Sequence, residues 1–233
     1  MRIGLTYTGF DEKHENYVRW LKQQDDIEVV CIAEDDEHRP DIKSFDGIVL
    51  SGGVDIYPEF YDNENVDYPN APEEFHEARD EFEADVFNQC LENKLPVLCV
   101  CRGMQLVNCI LGGNLTQDLG ELNQIHKFEN SDKAHGIVID PGTLLNEITG
   151  VKTSVANSAH HQVIDELGNG LMVNSRSDEG IIEGIEWKEK AGKPFFLGVQ
   201  WHPERMFKFR LEDTPLSKKI RDRFIEEIKK SKA

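Results

Sequence analysis

The run Leu95-Pro-Val-Leu-Cys-Val-Cys-Arg-Gly-Met-Gln-Leu-Val-Asn108 is a short apolar strand that breaks at Cys101 and restarts as a helix after Arg102-Gly103. A strand apolar at every position has both faces buried, which points to a mostly parallel sheet covered by helices on each side. The break has the form of a nucleophile elbow, the tight strand-to-helix turn that holds a reactive side chain clear of its own backbone. A cysteine there sits at a helix N-terminus, where the thiolate is favoured. One departure weakens the local pattern: Cys99 fills the position two before the nucleophile, where glycine is usual.

The rest of the chain extends this reading. Ile3 to Thr6, Glu28 to Ala33 and Gly47 to Leu50 are short aliphatic runs, and the segment Asn16 to Gln24 between the first two has helical spacing, so the chain starts as a βαβ unit. A helix is predicted over Pro72 to Asn93, with Phe75, Ala78, Phe82, Val86, Cys90 and Leu91 as its apolar stripe and its acidic faces in solvent. Past Gly112-Gly113, which end the elbow helix, strand candidates Gly136 to Ile139, Ser154 to Ala156, Leu171 to Asn174 and Ile181 to Trp187 alternate with turn pairs and suggest antiparallel additions. A last helix, Pro215 to Lys230, carries Leu216, Ile220, Phe224 and Ile228 four residues apart. The expected fold is α/β, a three-layer sandwich with a mostly parallel, flavodoxin-like central sheet, and nothing like a linker divides residues 1–233 into two domains.

Composition removes several function classes. With 44 acidic against 26 basic residues the net charge is −18, which repels nucleic acid and anionic membrane surfaces. No apolar run reaches the ~20 residues of a membrane span, and the first residues lack a signal-peptide core, so a cytoplasmic location is expected. Five cysteines at irregular spacing fit neither a disulfide frame nor a paired zinc motif, and reduced thiols follow.

A second segment, Gly198-Val-Gln-Trp-His-Pro-Glu204, offers the partners a thiol nucleophile needs: His202 as base and Glu204 to accept the second imidazole N–H. Ser51-Gly52-Gly53 follows a strand and bares main-chain N–H groups, so Gly53 and the N–H of Arg102 are candidates for an oxyanion hole. Asn157-Ser-Ala-His-His-Gln162 gathers hydrogen-bonding groups suited to a polar zwitterion, which makes Ser158, His160, His161 and Gln162 candidate substrate contacts. A metal bound by His160 and His161 is the weaker reading, because neighbouring histidines diverge on an extended chain and no third ligand is visible. His76, His126 and His135 follow no interpretable pattern and are assigned to surface or polar core. No cofactor is expected.

The blocks Ser51-Gly-Gly-Val-Asp-Ile-Tyr-Pro-Glu-Phe-Tyr61, Cys101-Arg-Gly-Met-Gln105 and Val199-Gln-Trp-His-Pro-Glu204 resemble the class I glutamine amidotransferase superfamily, and within it the free-standing gamma-glutamyl-gamma-aminobutyrate hydrolase branch. His135-Gly-Ile-Val, Asn157-Ser-x-His-His-Gln162 and Ile182-Glu-Gly-Ile-Glu186 extend the likeness to about residue 206. The resemblance implies that Cys101 attacks a gamma-glutamyl amide, that His202 shuttles the proton and Glu204 orients it, and that water hydrolyses the thioester. It further implies oxyanion donors at Gly53 and Arg102, with Gly52, Gln105 and Ser158 to Gln162 near the glutamyl group. Cys99 and Ala159 depart from the family pattern, the second in a slot often filled by a larger side chain.

A small gamma-glutamyl compound is therefore the expected partner. The alternatives are a glutaminase subunit feeding ammonia to a separate synthase, and a non-catalytic protein that keeps the fold. The sequence leaves open the leaving amine, pairing into a homodimer, and whether residues 61–77 form a lid.

Overall fold

The structure is a computed structural model that describes residues 1–23, 26–34, 41–61, 63–127, 129 and 131–232. Its strands are β1 (Arg2–Thr6), β2 (Glu28–Ile32), β3 (Gly47–Leu50), β4 (Val97–Val100), β5 (Leu115–Thr116), β6 (Lys133–Ile139), β7 (Thr153–Ser158), β8 (Val163–Ile164), β9 (Leu171–Ser177), β10 (Ile182–Trp187) and β11 (Phe196–Val199). The helices are α1 (Asp11–Lys22), α2 (Glu77–Asn93), α3 (Arg102–Ile110), α4 (Asn123–His126), α5 (Leu144–Thr149) and α6 (Ile220–Ser231).

Nine strands form one sheet in the order β2-β1-β3-β4-β11-β10-β9-β6-β7. The first five run parallel, and from β11 onward every pairing is antiparallel. The sheet is thus mixed, with a parallel half flanked by helices, as a flavodoxin-like fold requires. The antiparallel strands continue this sheet, and β5 and β8 make a separate two-stranded ribbon.

Two apolar layers cover the parallel half. On one face α1 and α6 bury Tyr17, Leu21, Ile220, Phe224 and Ile228 against Ile3, Leu5, Val49, Leu98 and Val100. On the other, α2 and α3 bury Phe82, Val86, Phe87, Met104 and Val107 against Ile48, Leu50, Val97 and Cys99. The all-apolar pattern of β3 and β4 is explained by this double cover, since alternate side chains of each strand enter opposite layers.

Element ends differ from expectation where side chains found better partners. Helix α2 starts at Glu77 rather than Pro72, because Phe75 packs its ring against Tyr57 and Tyr68 in the preceding loop. Helix α1 occupies Asp11–Lys22, earlier than the expected Asn16 to Gln24, whose last residue lies outside the described residues. The four-residue apolar stripe of the last helix is fully buried as expected, although its first turn, Pro215–Lys219, is a π-helix.

The expectation that the acidic faces of α2 lie in solvent is corrected at Asp80 and Glu83, which are fully buried. Each is satisfied by opposite charge. Arg102 pairs with both, and Arg79 Nε lies 2.9 Å from Glu83 Oε1. Two guanidiniums against two carboxylates leave no net charge to desolvate alone. Removing one member strands its partners, so Glu83→Gln should cost about 3–5 kcal/mol in urea unfolding. A loss within experimental error of zero would mean that these ions are better solvated than their burial indicates.

Candidate active site

The loops after β3, β4 and β11 all open at the carboxyl edge of the parallel strands, the place where open α/β sheets carry their ligands. Cys101 follows β4 with φ 52° and ψ −111°, a positive-φ conformation costly for a residue with a side chain. Three contacts hold it. Its N–H donates to Val199 O at 2.7 Å. Gly103 lets the first turn of α3 press on β3, since a Cβ there would meet the Leu50 carbonyl oxygen. The Arg102 side chain is clamped by Asp80 and Glu83. Cys99 fits without disturbing this turn, because its side chain enters the layer beneath α3.

His202 and Glu204 follow β11. The imidazole Nδ1 lies 2.9 Å from Glu204 Oε1, and both residues are buried. The ring leans over the β3 loop, where a Cβ on Gly52 would stand 2.9 Å from its Cε1. Cys101 lies within side-chain hydrogen-bond reach of His202. Burial and Arg205 oppose charge on this imidazole, but Glu204 and the Cys101 sulfur outweigh them and raise its pKa to about 9. Gln200, given no role from sequence, donates its side-chain Nε2–H to Cys101 Sγ at 3.4 Å and accepts from Gln105 Nε2 at 3.0 Å. Its signal was its place in the Val199 to Glu204 block.

The β3 loop is anchored from behind. Gly52 N–H donates to Tyr17 Oη at 3.0 Å, and Arg79 Nη2 donates to Gly52 O and Ser51 Oγ. Gly52 therefore spends its polar groups on the framework. Gly53 borders Cys101 on both sides, and the N–H of Arg102 belongs to the first helical turn, where N–H groups have no intrahelical partner.

Two cavities meet at Cys101, Gly53 and Ala159. The first, about 110 Å³, is lined by His202, Tyr17, Thr8, Lys13 and Arg205. The second, about 130 Å³, is lined by Gln105, His161, Gln162, His160 and Asp55. Of the proposed substrate contacts, Gln105, His160, His161 and Gln162 reach this second wall. Ser158 does not: its hydroxyl donates to His126 O at 3.0 Å, away from either cavity. This placement has a simple cause, since Ser158 is the last residue of β7 and is fully buried beside His126.

His161 is flanked by Asp55 at 3.0 Å and Asp118 at 3.3 Å. Burial disfavours its charge, but the hydrogen bond and charge of Asp55 prevail and raise its pKa. Tyr68 joins the same wall, donating to Asp55 Oδ2 and accepting from Gln162 Nε2. The stretch 63–77 thus leans on the second cavity through Tyr68 and Phe75; Asp62, within the stretch 61–77 whose role as a lid the sequence leaves open, lies outside the described residues.

His160 turns its Nε2 away from Cys101's neighbours toward Glu183 Oε1 at 3.4 Å, where His126 and His135 converge too. No third ligand stands beside the histidine pair along the chain; the fold supplies two further imidazoles and a carboxyl group from α4, β6 and β10. His76 is exposed, and His126 and His135 are in the polar core.

Comparison with known proteins places this arrangement. The sequence matches the family Peptidase C26 over residues 9–204. The chain belongs to that family. Protein NtpR of Enterococcus hirae is 35% identical over 209 residues, covering 86% of this chain and 82% of NtpR. The gamma-glutamyl-gamma-aminobutyrate hydrolase of Escherichia coli O157:H7 is 30% identical over 174 residues, 70% of this chain and 65% of that protein. A glutamine amidotransferase structure from Thermotoga maritima superposes with a TM-score of 0.64 at 13% identity, covering 98% of this chain and 97% of that one, and supports the fold. The family and these relatives make the chain a hydrolase of amide C–N bonds, of the glutamine amidotransferase type. Among the described residues, no helix is long and apolar enough to cross a membrane.

The raised pKa of His202 has a consequence for stability. A folded pKa of about 9 lies above the ordinary 6.5, so the charged imidazole stabilises the fold fully below pH 6.5, and the contribution is lost as pH rises through 9. Denaturation midpoints of wild type and His202→Gln, measured from pH 6 to 10, should converge toward the alkaline end. Parallel curves would show that the imidazole is not held in its charged form.

Proposed function

We propose that this chain hydrolyses the gamma-glutamyl amide bond of a small gamma-glutamyl compound, through a thioester on Cys101, and releases glutamate. The observation that carries the reading is the strained turn at Cys101 opening on the cavity of a His202 that is itself bonded to Glu204 at 2.9 Å. In this mechanism Cys101 sulfur attacks the amide carbonyl, and its proton resides on His202. Negative charge on the carbonyl oxygen is met by the N–H groups of Gly53 and Arg102. The C–N bond breaks as His202 protonates the departing amine; water then loses a proton to His202 and attacks the thioester, freeing glutamate and the thiol.

The two cavities divide the substrate. The amine must leave on the His202 side, because that imidazole protonates it, and His202 lines only the first cavity. The glutamyl group then occupies the second, where the Asp55 carboxylate suits its ammonium and His161 with Gln105 and Gln162 suit its carboxylate. At the rim of the first cavity stands Lys13, exposed and close to Arg205, whose guanidinium is itself held 3.1 Å from Asp132. A cation on the leaving side favours an amine that carries its own carboxylate, such as gamma-aminobutyrate. A glutaminase subunit, from which only ammonia departs, would have no use for it. A reduced thiol at Cys101 fits a cytoplasmic setting.

Glutamate release from gamma-glutamyl-aminobutyrate should vanish in Cys101→Ala, and equal rates in the two proteins would refute the mechanism. Lys13→Ala should raise KM for this substrate roughly tenfold, as expected for one charge-assisted contact at a solvated rim, while leaving hydrolysis of gamma-glutamyl-p-nitroanilide nearly unchanged. An equal effect on both substrates would remove Lys13 from leaving-group recognition without touching the role of Cys101.

A further inference from the structure

We infer that His126, His135, His160 and Glu183 form a closed, structural site for a divalent transition ion, Zn²⁺ in the first instance, beneath the loop that lines the glutamyl cavity. All four side chains are buried, and one donor atom from each lies within 4.8 Å of the others. Glu183 Oε1 is 3.4 Å from His135 Nε2, 3.4 Å from His160 Nε2 and 3.6 Å from His126 Nδ1. Ligands bonded to zinc at its usual distances stand about 3.3 Å apart along the edges of a tetrahedron, so these separations need little adjustment.

The tautomers point the same way. His135 Nδ1 lies 3.0 Å from Gly136 O and His160 Nδ1 lies 3.1 Å from Gln162 O, and a carbonyl can only accept. Each ring therefore carries its proton on Nδ1 and aims the lone pair of Nε2 at Glu183. His126 presents Nδ1 to Glu183 Oε1 at 3.6 Å, with Ser158 Oγ 3.3 Å from the same nitrogen and Glu179 Oε2 3.6 Å from Nε2. A second N–H held by a carbonyl or carboxylate is how metal-bound histidines are oriented.

Without a cation, the Nε2 lone pairs of His135 and His160 confront Glu183 in a dry interior. His135 Nε2, His160 Nε2 and both Glu183 oxygens are buried without a hydrogen-bond partner. The backbone is also shaped for the purpose. The β9–β10 register slips between Ile182 and Gly184, and the extra residue at this bulge is Glu183, turned into the core. Soft thiolates are absent from the set, and imidazole with carboxylate suits zinc, which takes four protein ligands in sites that lack an open coordination position.

Such a site would tie α4, β6 and β10 to the segment after β7. His160 is the direct neighbour of His161 and two residues from Gln162, so the ion would hold the wall of the second cavity in place while taking no part in bond cleavage. The proposal stands apart from the proposed hydrolysis, and its test does not depend on turnover.

The untagged full chain, prepared without chelators, should retain about one zinc per molecule after gel filtration, measured by plasma mass spectrometry. Cys101→Ala should retain the same amount, whereas His135→Ala and Glu183→Gln should lose it. Cobalt added to stripped wild-type protein should give the intense visible bands of a four-coordinate ion. Should the two variants fail to fold, stripped wild type suffices: its melting temperature should rise with added zinc and fall again with a chelator. No zinc and no cobalt spectrum in the wild type would overturn the inference and leave Glu183 as a protonated acid shared among the rings. Zinc that disappears in Cys101→Ala instead would equally overturn it.

Discussion

A cysteine held at positive φ is the constraint on which the rest of this structure turns. The conformation costs of the order of 1–3 kcal/mol and persists only where neighbours over-determine it. Here the neighbours are a hydrogen bond to β11, a glycine that brings α3 onto β3, and a buried salt-bridge network that grips the next residue. The same network reaches the β3 loop through Arg79, which donates to Ser51 and Gly52. One buried cluster of four charges thus sets the position of the elbow and of the loop opposite it. That is why Arg102 matters twice: it lines the second cavity beside Cys101, and its side chain secures the turn from behind.

The antiparallel half of the sheet serves the site differently. Strand β11 is shared between the two halves and carries the chain into Gln200, His202 and Glu204. Strands β6 and β10, further out, bring His135 and Glu183 under the loop that follows β7. The surroundings of Cys101 are therefore built from the parallel strands, while the wall of the second cavity leans on a polar cluster within the antiparallel ones. Charge divides along the same line. Asp55 and His161 border one cavity, Lys13 and Arg205 the other, and the small side chain of Ala159 lies where the two join.

Much of this was legible in the sequence, for reasons that are local. An all-apolar β4 meeting Cys101-Arg-Gly has few ways to fold, and a His-Pro-Glu loop after an apolar strand places an imidazole beside its carboxylate by chain geometry alone. The four-residue stripe Leu216, Ile220, Phe224 and Ile228 similarly announced a helix that packs on the sheet. Errors arose where the deciding partner was remote. Phe75 left its predicted helix for two tyrosines, Asp80 and Glu83 sank because Arg102 came to meet them, and Ser158 turned to His126 instead of the cavity.

By itself, then, the sequence determined the doubly covered strands, the elbow at Cys101 and the pairing of His202 with Glu204, since each depends on periodicity or on residues close along the chain. Only the tertiary structure decided the meeting of Cys101 with His202, the burial of four charges behind the elbow and the convergence of His126, His135, His160 and Glu183. Those associations bring together separate segments of the chain. Their side chains are polar, so no hydrophobic period marks them, and each becomes tolerable in the interior only once its partner has been brought within hydrogen-bonding or ion-pairing distance.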